Sequence, residues 1–273
     1  MEIKKISILG CGWYGLPLAK ALVNDGFKVK GSNTSTGKLS QLSEAGIEPF
    51  LINAEQSDIV EDFFDCDILI ISVPPKVNSG QLPYPDKIRS ISAAAQNAGV
   101  KQIIMISSTG IYQDGNFVVD EHIIPQPNTP VGRELREAEN ILKENGFFTT
   151  TIIRFAGLIG PERNLAKHFA GKKDIVNGLA PINLIHLDDC IGLTNAIIHQ
   201  KAFGRTYHGV TPDHPTRKDF YTKACITSGF DKPSFKEELL DWKQVESKNV
   251  ARFLAYKYVY ENWQLYFDKI LGI

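Results

Sequence analysis

The sequence lacks most features that mark specialised chemistry. Its four cysteines, Cys11, Cys66, Cys190 and Cys225, fall in no paired spacing, and no histidine stands near them at a metal-ligand interval. They read as small hydrophobes in a reducing compartment, and no metal is expected. No stretch approaches the roughly 20 apolar residues of a membrane span, so no membrane partner is expected. The start, Met1 to Leu9, has the outline of a signal peptide. However, Gly10, Gly12 and Gly15 break the apolar run and no small-residue cleavage site follows. A buried first strand and a cytoplasmic location are the expectation. Charge of one sign is also missing: the net charge is −1, which gives no bulk pull toward nucleic acid. Repeats, low-complexity tracts and charged tails are absent. What remains is 273 residues, 43% hydrophobic and 22% charged, the composition of an ordinary globular protein.

Apolar runs alternate with amphipathic segments through the first half. Candidate strands are 5–9, 27–30, 47–52, 68–73, 102–107 and 150–155, rich in Ile and Val and apolar on both faces. That pattern suits parallel strands covered by helices on each side. Helix candidates 16–25, 38–44, 85–98 and 131–145 lie between them, and several end at a glycine stop, as at Gly26 and Gly99. The alternation predicts an α/β fold, a Rossmann-type doubly wound parallel sheet. After Gly157 the rhythm changes to short elements separated by Pro-, Gly- and His-containing loops. Residues 1–157 are therefore read as a dinucleotide-binding domain and 158–273 as a small substrate lobe woven onto it. The aromatic-rich run 242–273 is expected to cap that lobe.

Gly10-Cys11-Gly12-Trp13-Tyr14-Gly15 puts Gly-x-Gly-x-x-Gly directly after a strand and at the head of a helix. The first glycine permits the tight turn, the second lets backbone approach a diphosphate, and the third lets the helix pack on the sheet. The diphosphate would rest on the positive end of that helix. About 20 residues on, a site preferring NAD should offer Asp or Glu to the ribose hydroxyls. The second strand instead runs out through Lys30, Ser32, Asn33, Thr34 and Lys38 without an acid. Hydroxyls, an amide and lysines suit a 2′-phosphate, so NADP is the expected cofactor, with NAD as the alternative. Val73-Pro74-Pro75 follows the fourth strand and would form a stiff turn along the nicotinamide-side ribose.

Ser107-Ser108-Thr109-Gly110-Ile111-Tyr112, the strand exit Arg154 to Pro161, and Asn183-Leu184-Ile185-His186-Leu187-Asp188-Asp189 follow in order. Together these pieces resemble the extended and atypical short-chain dehydrogenases of the NAD-dependent epimerase/dehydratase family. The resemblance spans nearly the whole chain. It implies that Ser107 stands at the cofactor, that Thr109 and Ser108 offer hydroxyls to a substrate oxygen, and that Tyr112 is structural. It also implies a Tyr-x-x-x-Lys pair four residues apart on one helix face. There the lysine favours the phenolate and the tyrosine exchanges a proton with substrate. This chain carries Val131 and Leu135 at those positions.

Tyr84, beside a Gly- and Pro-bearing loop at 77–85 with the look of a lid, is the candidate replacement over the nicotinamide. His122, Glu134, His168 and His186 are titratable candidates, and Arg133 and Arg154 candidates for an acidic substrate group. Two functions remain open. One is an oxidoreductase- or epimerase-like enzyme acting on a sugar-like or other carbonyl or hydroxyl small molecule through a non-standard site. The other is a non-catalytic NADP-binding sensor. A homodimer through the 131–145 helix is also open. The opening also resembles β-hydroxyacid dehydrogenases, which need an all-helical second domain that the loops after Gly157 do not offer.

Overall fold

A computed structural model describes residues 3–53, 60–75 and 82–272 of the chain. In chain order the elements are β1 (Lys5–Leu9), α1 (Gly15–Asn24), β2 (Lys28–Asn33), α2 (Leu39–Glu44), β3 (Glu48–Leu51), α3 (Glu61–Phe64), β4 (Ile68–Ile71), α4 (Tyr84–Asn97) and β5 (Gln102–Ser108). There follow β6 (Phe117–Val119), α5 (Pro130–Glu144), β7 (Thr149–Phe155), β8 (Gly157–Ile159), β9 (Leu184–His186), α6 (Leu187–His199), β10 (Thr206–Gly209), α7 (Arg217–Thr227), β11 (Lys243–Val245), α8 (Lys248–Phe253) and α9 (Trp263–Leu271).

Among the described residues, seven strands form one parallel sheet in the order β10-β7-β5-β4-β1-β2-β3. Strand side chains alternate between faces, and both faces are apolar here. Ile68 and Ile70 of β4 enter a core shared with α1 and α6, whereas Leu69 and Ile71 enter the core under α3, α4 and α5. This two-sided burial is why the strands read as continuous apolar runs. The strand order reverses between β1 and β4, which is where open α/β sheets bind ligands, outside the carboxyl ends of the strands.

The chain beyond residue 157 serves both the sheet and a separate cluster. β10 closes the sheet edge beside β7, and α6 packs on α1. A third core gathers Ile159, Leu184, Phe220, Trp263 and Phe267, so α9 packs into this cluster rather than onto the sheet. The carboxylate of Asp189 on α6 anchors the C-terminal segment, accepting from Tyr256 Oη (2.9 Å), Val259 N (2.7 Å) and Tyr260 N (3.1 Å). Two short pairings, β6 with β11 and β8 with β9, stitch distant parts of the chain together. With Thr206–Gly209 in the same sheet as Lys5–Leu9, no all-helical second domain exists among the described residues.

Candidate functional site

The glycine turn is built by backbone necessity. Gly10 has φ = +102°, a conformation that L side chains rarely adopt. A Cβ at Gly15 would lie 2.2 Å from the Gly10 carbonyl oxygen. That oxygen accepts Ser72 Oγ–H (2.7 Å), and the Gly10 N–H donates to Ser32 Oγ (3.0 Å), fixing the turn to both neighbouring strands. A Cβ at Gly12 would meet nothing within 4 Å. The turn is thus tight under the helix and open above it. The N–H groups that precede the first helical bond, Leu16 N to Gly12 O (3.0 Å), lack intrahelical partners, and Trp13, Tyr14 and Gly15, which carry them, line the opening at the head of α1.

Two adjoining cavities share Gly10, Gly12, Ser72, Val73 and Pro74. The smaller, about 290 Å³, runs toward the end of β2. Ser32 and Asn33 line it but serve the turn: Asn33 Nδ2 donates to Cys11 O (3.3 Å) and its Oδ1 accepts Ser35 N–H (3.1 Å). Thr34, Lys38 and Lys87 line it as well, and no Asp or Glu does among the described residues. Lys30 is not there. Its ammonium donates to the Asp62 carbonyl and lies over the Phe50 ring: Lys30 shares the face of Ser32 but stands two residues further back from the carboxyl end of β2, beside the α3 end.

The larger cavity, about 730 Å³, extends from the glycine turn past Pro74 and Pro75 to the ends of β5 and β7 and the first turns of α5. Trp13 and Tyr14 line it. Trp13 Nε1 donates to Pro161 O (2.7 Å), while the Tyr14 hydroxyl turns inward to Thr194 Oγ1 (2.7 Å). Ser107 lines it too, with its proton donated to Glu139 Oε1 (2.7 Å). Ser108 Oγ accepts the Gly110 N–H (3.0 Å), and Thr129 Oγ1 caps α5 by accepting the Gly132 N–H (3.1 Å). Both of these hydroxyls therefore keep a proton to give. Val131 and Leu135, one turn apart on α5, both face this space, the former 39% exposed and the latter 4%. The wall where the resemblance calls for phenol and ammonium is aliphatic.

Two sequence-predicted catalytic residues need correction. Tyr84 does not reach the cleft. Its ring is 1% exposed at the head of α4, its hydroxyl donates to Val73 O (3.0 Å), and burial pushes the phenol well above its ordinary range. Residues 77–81 of the expected lid lie outside the described residues. Thr109 is buried at the start of a 3-10 turn and does not line the cavity, whereas its neighbour Ser108 does. The turn rotates the family's third hydroxyl inward. His122, Glu134, His168, His186, Arg133 and Arg154 do not line the cavity either. His186 caps α6 by accepting the Asp188 N–H (3.1 Å), and burial lowers its pKa.

Arg154 instead belongs to a buried chain behind the site. Its guanidinium donates to both Glu139 oxygens (2.9 and 2.6 Å) and to the Tyr112 hydroxyl (2.5 Å). Tyr112 Oη–H donates in turn to His208 Nε2 (2.9 Å), whose Nδ1–H donates to Glu246 O (2.9 Å). The chain runs from Ser107, which lines the cavity, to the backbone of Glu246 just after β11.

Sequence reasoning missed Ser72 and Arg163, both of which line the larger cavity. Arg163 stacks over Trp13, 4.2 Å from the ring centroid, and neither Ser72 nor Arg163 sits in a motif that distinguishes it from an ordinary loop side chain.

A switch-point cleft with a glycine turn and a helix end at its floor defines a dinucleotide-binding α/β protein. Comparison with known proteins agrees. The chain belongs to the NAD(P)H-binding family, whose model matches residues 10–180. It is 31% identical over 266 residues to Protein YeeZ of Escherichia coli strain K12, covering 94% of this chain and 97% of that protein. Its fold is that of the epimerases and dehydratases. A candidate NAD-dependent epimerase/dehydratase from Methylobacillus flagellatus superposes with TM-score 0.78 at 23% identity, covering 99% and 98% of the two chains. UDP-glucuronic acid 4-epimerase from Bacillus cereus, in complex with UDP-glucuronic acid and NAD, gives 0.79 at 19%, covering 98% and 99%. A nicotinamide dinucleotide is the cofactor of this family. No helix among the described residues is long and apolar enough to cross a membrane, and no cluster among them would hold a metal.

Proposed function

We propose that this protein is a nicotinamide-dependent oxidoreductase acting on a carbonyl or hydroxyl group of a small molecule, with NADP preferred over NAD. The carrying observation is one continuous cleft with a cofactor cradle at one end and two hydroxyls with free protons, Ser108 and Thr129, at the other. When bound, the dinucleotide supplies the hydride-exchanging ring. The chain's own part is to hold the diphosphate on the α1 terminus and to receive a substrate oxygen at Ser108 and Thr129. Val131 and Leu135 exclude water from the reacting face. General acid–base help contributes about 10²–10⁴ in rate, and no carboxylate or imidazole lines the larger cavity among the described residues. Turnover is accordingly slow, with the proton drawn from solvent through the two hydroxyls. The preference for NADP is supported by Thr34 and Lys38 beside an acid-free cavity. A homodimer belongs to the same proposal. The face of α4 and α5 is polar where Arg89 pairs with Asp86 and Glu137, so association there is weak.

The aliphatic pair on α5 favours a second reading, a sensor that binds NADP(H) without turnover. Oxidation of NADPH against aldehydes, ketones and nucleotide sugars separates the two: turnover that Ser108→Ala lowers supports the enzyme, and tight binding without turnover on any substrate supports the sensor. Calorimetric titration is expected to give NADPH a clear advantage over NADH. Lys38→Ala should weaken NADPH about tenfold and NADH little, since a hydrogen bond to a charged group contributes about 1.5–3 kcal/mol. Equal affinities in the native protein would overturn the NADP preference.

A further inference from the structure

We infer that the second ligand of this cleft is an apolar-bodied anion, of the class of branched-chain or aromatic 2-oxo acids, and not a nucleotide sugar. The inference rests on the reading above, in which the dinucleotide takes the glycine side. Beyond the glycine turn the walls are Ile106, Val131, Leu135, Phe155, Ala156 and Leu158. Most polar hydrogens that line the space are already committed. Ser72 donates to Gly10 O, Ser107 to Glu139, Trp13 to Pro161 O, and Tyr14 to Thr194, whose own proton goes to Cys190 O. The donor side chains left are Ser108, Thr129 and Arg163. A hexose brings several hydroxyls, and each one buried unpaired costs about 1–3 kcal/mol. Two hydroxyls and a guanidinium do not satisfy them. A 2-oxo acid asks for less: a carbonyl oxygen to be held, a carboxylate to be paired, and an apolar tail to be covered.

Arg163 is the one charged side chain lining this cavity among the described residues, and no carboxylate lines the cavity to neutralise it. It makes no ion pair among those residues. Its backbone is fixed by the turn in which Arg163 N donates to Gly160 O (3.0 Å). Stacking on Trp13, 4.2 Å from the ring centroid, holds the guanidinium by its face. The N–H edge is left for a carboxylate, which a guanidinium meets with two parallel hydrogen bonds.

Calorimetric titration of the NADPH-loaded protein tests this with phenylpyruvate, the neutral ketone 4-phenyl-2-butanone and UDP-glucuronic acid. Phenylpyruvate is expected to bind at least about tenfold more tightly than either of the others, a difference of about 1.4 kcal/mol. Arg163→Leu should erase its advantage over the neutral ketone, and Arg163→Lys should restore part of it. Should Arg163→Leu not fold, Leu158→Asp serves instead, because a carboxylate in the apolar wall should repel the acid more than the ketone. Tighter binding of UDP-glucuronic acid overturns the inference. So does an Arg163→Leu protein that loses NADPH affinity while still preferring the acid, since the arginine then serves the diphosphate. If NADPH itself does not bind, the function proposed above falls as well; if NADPH binds and the acid shows no preference, only this inference falls.

Discussion

At the scale of single residues, the glycine turn separates stability from binding. A methyl at Gly15 is driven into the Gly10 carbonyl, whereas a methyl at Gly12 enters open space. Overpacking of this kind costs about 1–3 kcal/mol, and in a chain of this size each kcal/mol lowers Tm by about 2–4 °C. Gly15→Ala is therefore expected to melt several degrees early. Gly12→Ala should melt with the native protein and bind NADPH more weakly, because its methyl stands where the diphosphate approaches. Thermal unfolding alongside cofactor titration checks both, and an early-melting Gly12→Ala protein with native affinity would contradict the assignment. The buried Glu139–Arg154 pair obeys another rule. Removing one partner strands the other charge at about 3–5 kcal/mol, whereas replacing both with apolar groups is often near neutral. In urea, Glu139→Leu should thus lose more stability than Glu139→Leu combined with Arg154→Met.

At the scale of elements, α5 decides the chemistry. Thr129 and Pro130 start it, and its first turn packs against the Gly110 carbonyl, bringing Val131 and Leu135 beside Ser108. Installing the family pair through Val131→Tyr with Leu135→Lys is expected to raise reductase turnover, by up to about 10²–10⁴ if the new groups align. Glu139, one turn on, stands near enough in sequence to help hold the added ammonium. A folded, cofactor-binding and inert double variant would mean that this face of α5 does not meet the substrate.

The strands of the first half were legible because parallel strands buried on both faces leave continuous Ile and Val runs, and β1 matches its expectation end to end. β2 continues to Asn33, past the expected end at Lys30, because Gly31 and Ser32 are buried between β1 and β3 and carry no apolar signal. The three-residue strands β6 and β8 could not be read locally, since each exists only through a partner far along the chain. The cofactor turn was readable because it is one contiguous motif. Burial of Tyr84 and the stacking of Arg163 on Trp13 were not, because both depend on contacts that only the folded chain creates.

At the scale of the whole molecule, two buried histidines, His208 on β10 and His186 at the head of α6, are expected to make stability depend on pH. Burial lowers the pKa of His208 despite the opposing Glu121, Glu246 and Asp120, and Arg154 lowers it further. Burial lowers His186 as well, with Asp188 opposing and Lys269 adding to the fall. Between those folded values and about 6.5 the unfolded chain binds more protons, so stability falls as pH drops through that window. Tm should hold steady above neutrality and decline below about pH 6.5, and His208→Gln, which keeps an acceptor for Tyr112, should flatten the decline. An unchanged slope in that variant would assign the sensitivity to other groups.

Because β10 comes from residues 206–209 yet borders β7, a nascent chain holds an incomplete edge after β7 has emerged. At about 5–20 residues per second, the backbone amides of Thr149–Phe155 stay open to foreign strands for several seconds. The chain is therefore expected to be open to edge-to-edge pairing on the ribosome, in the interval before its late-made strand arrives.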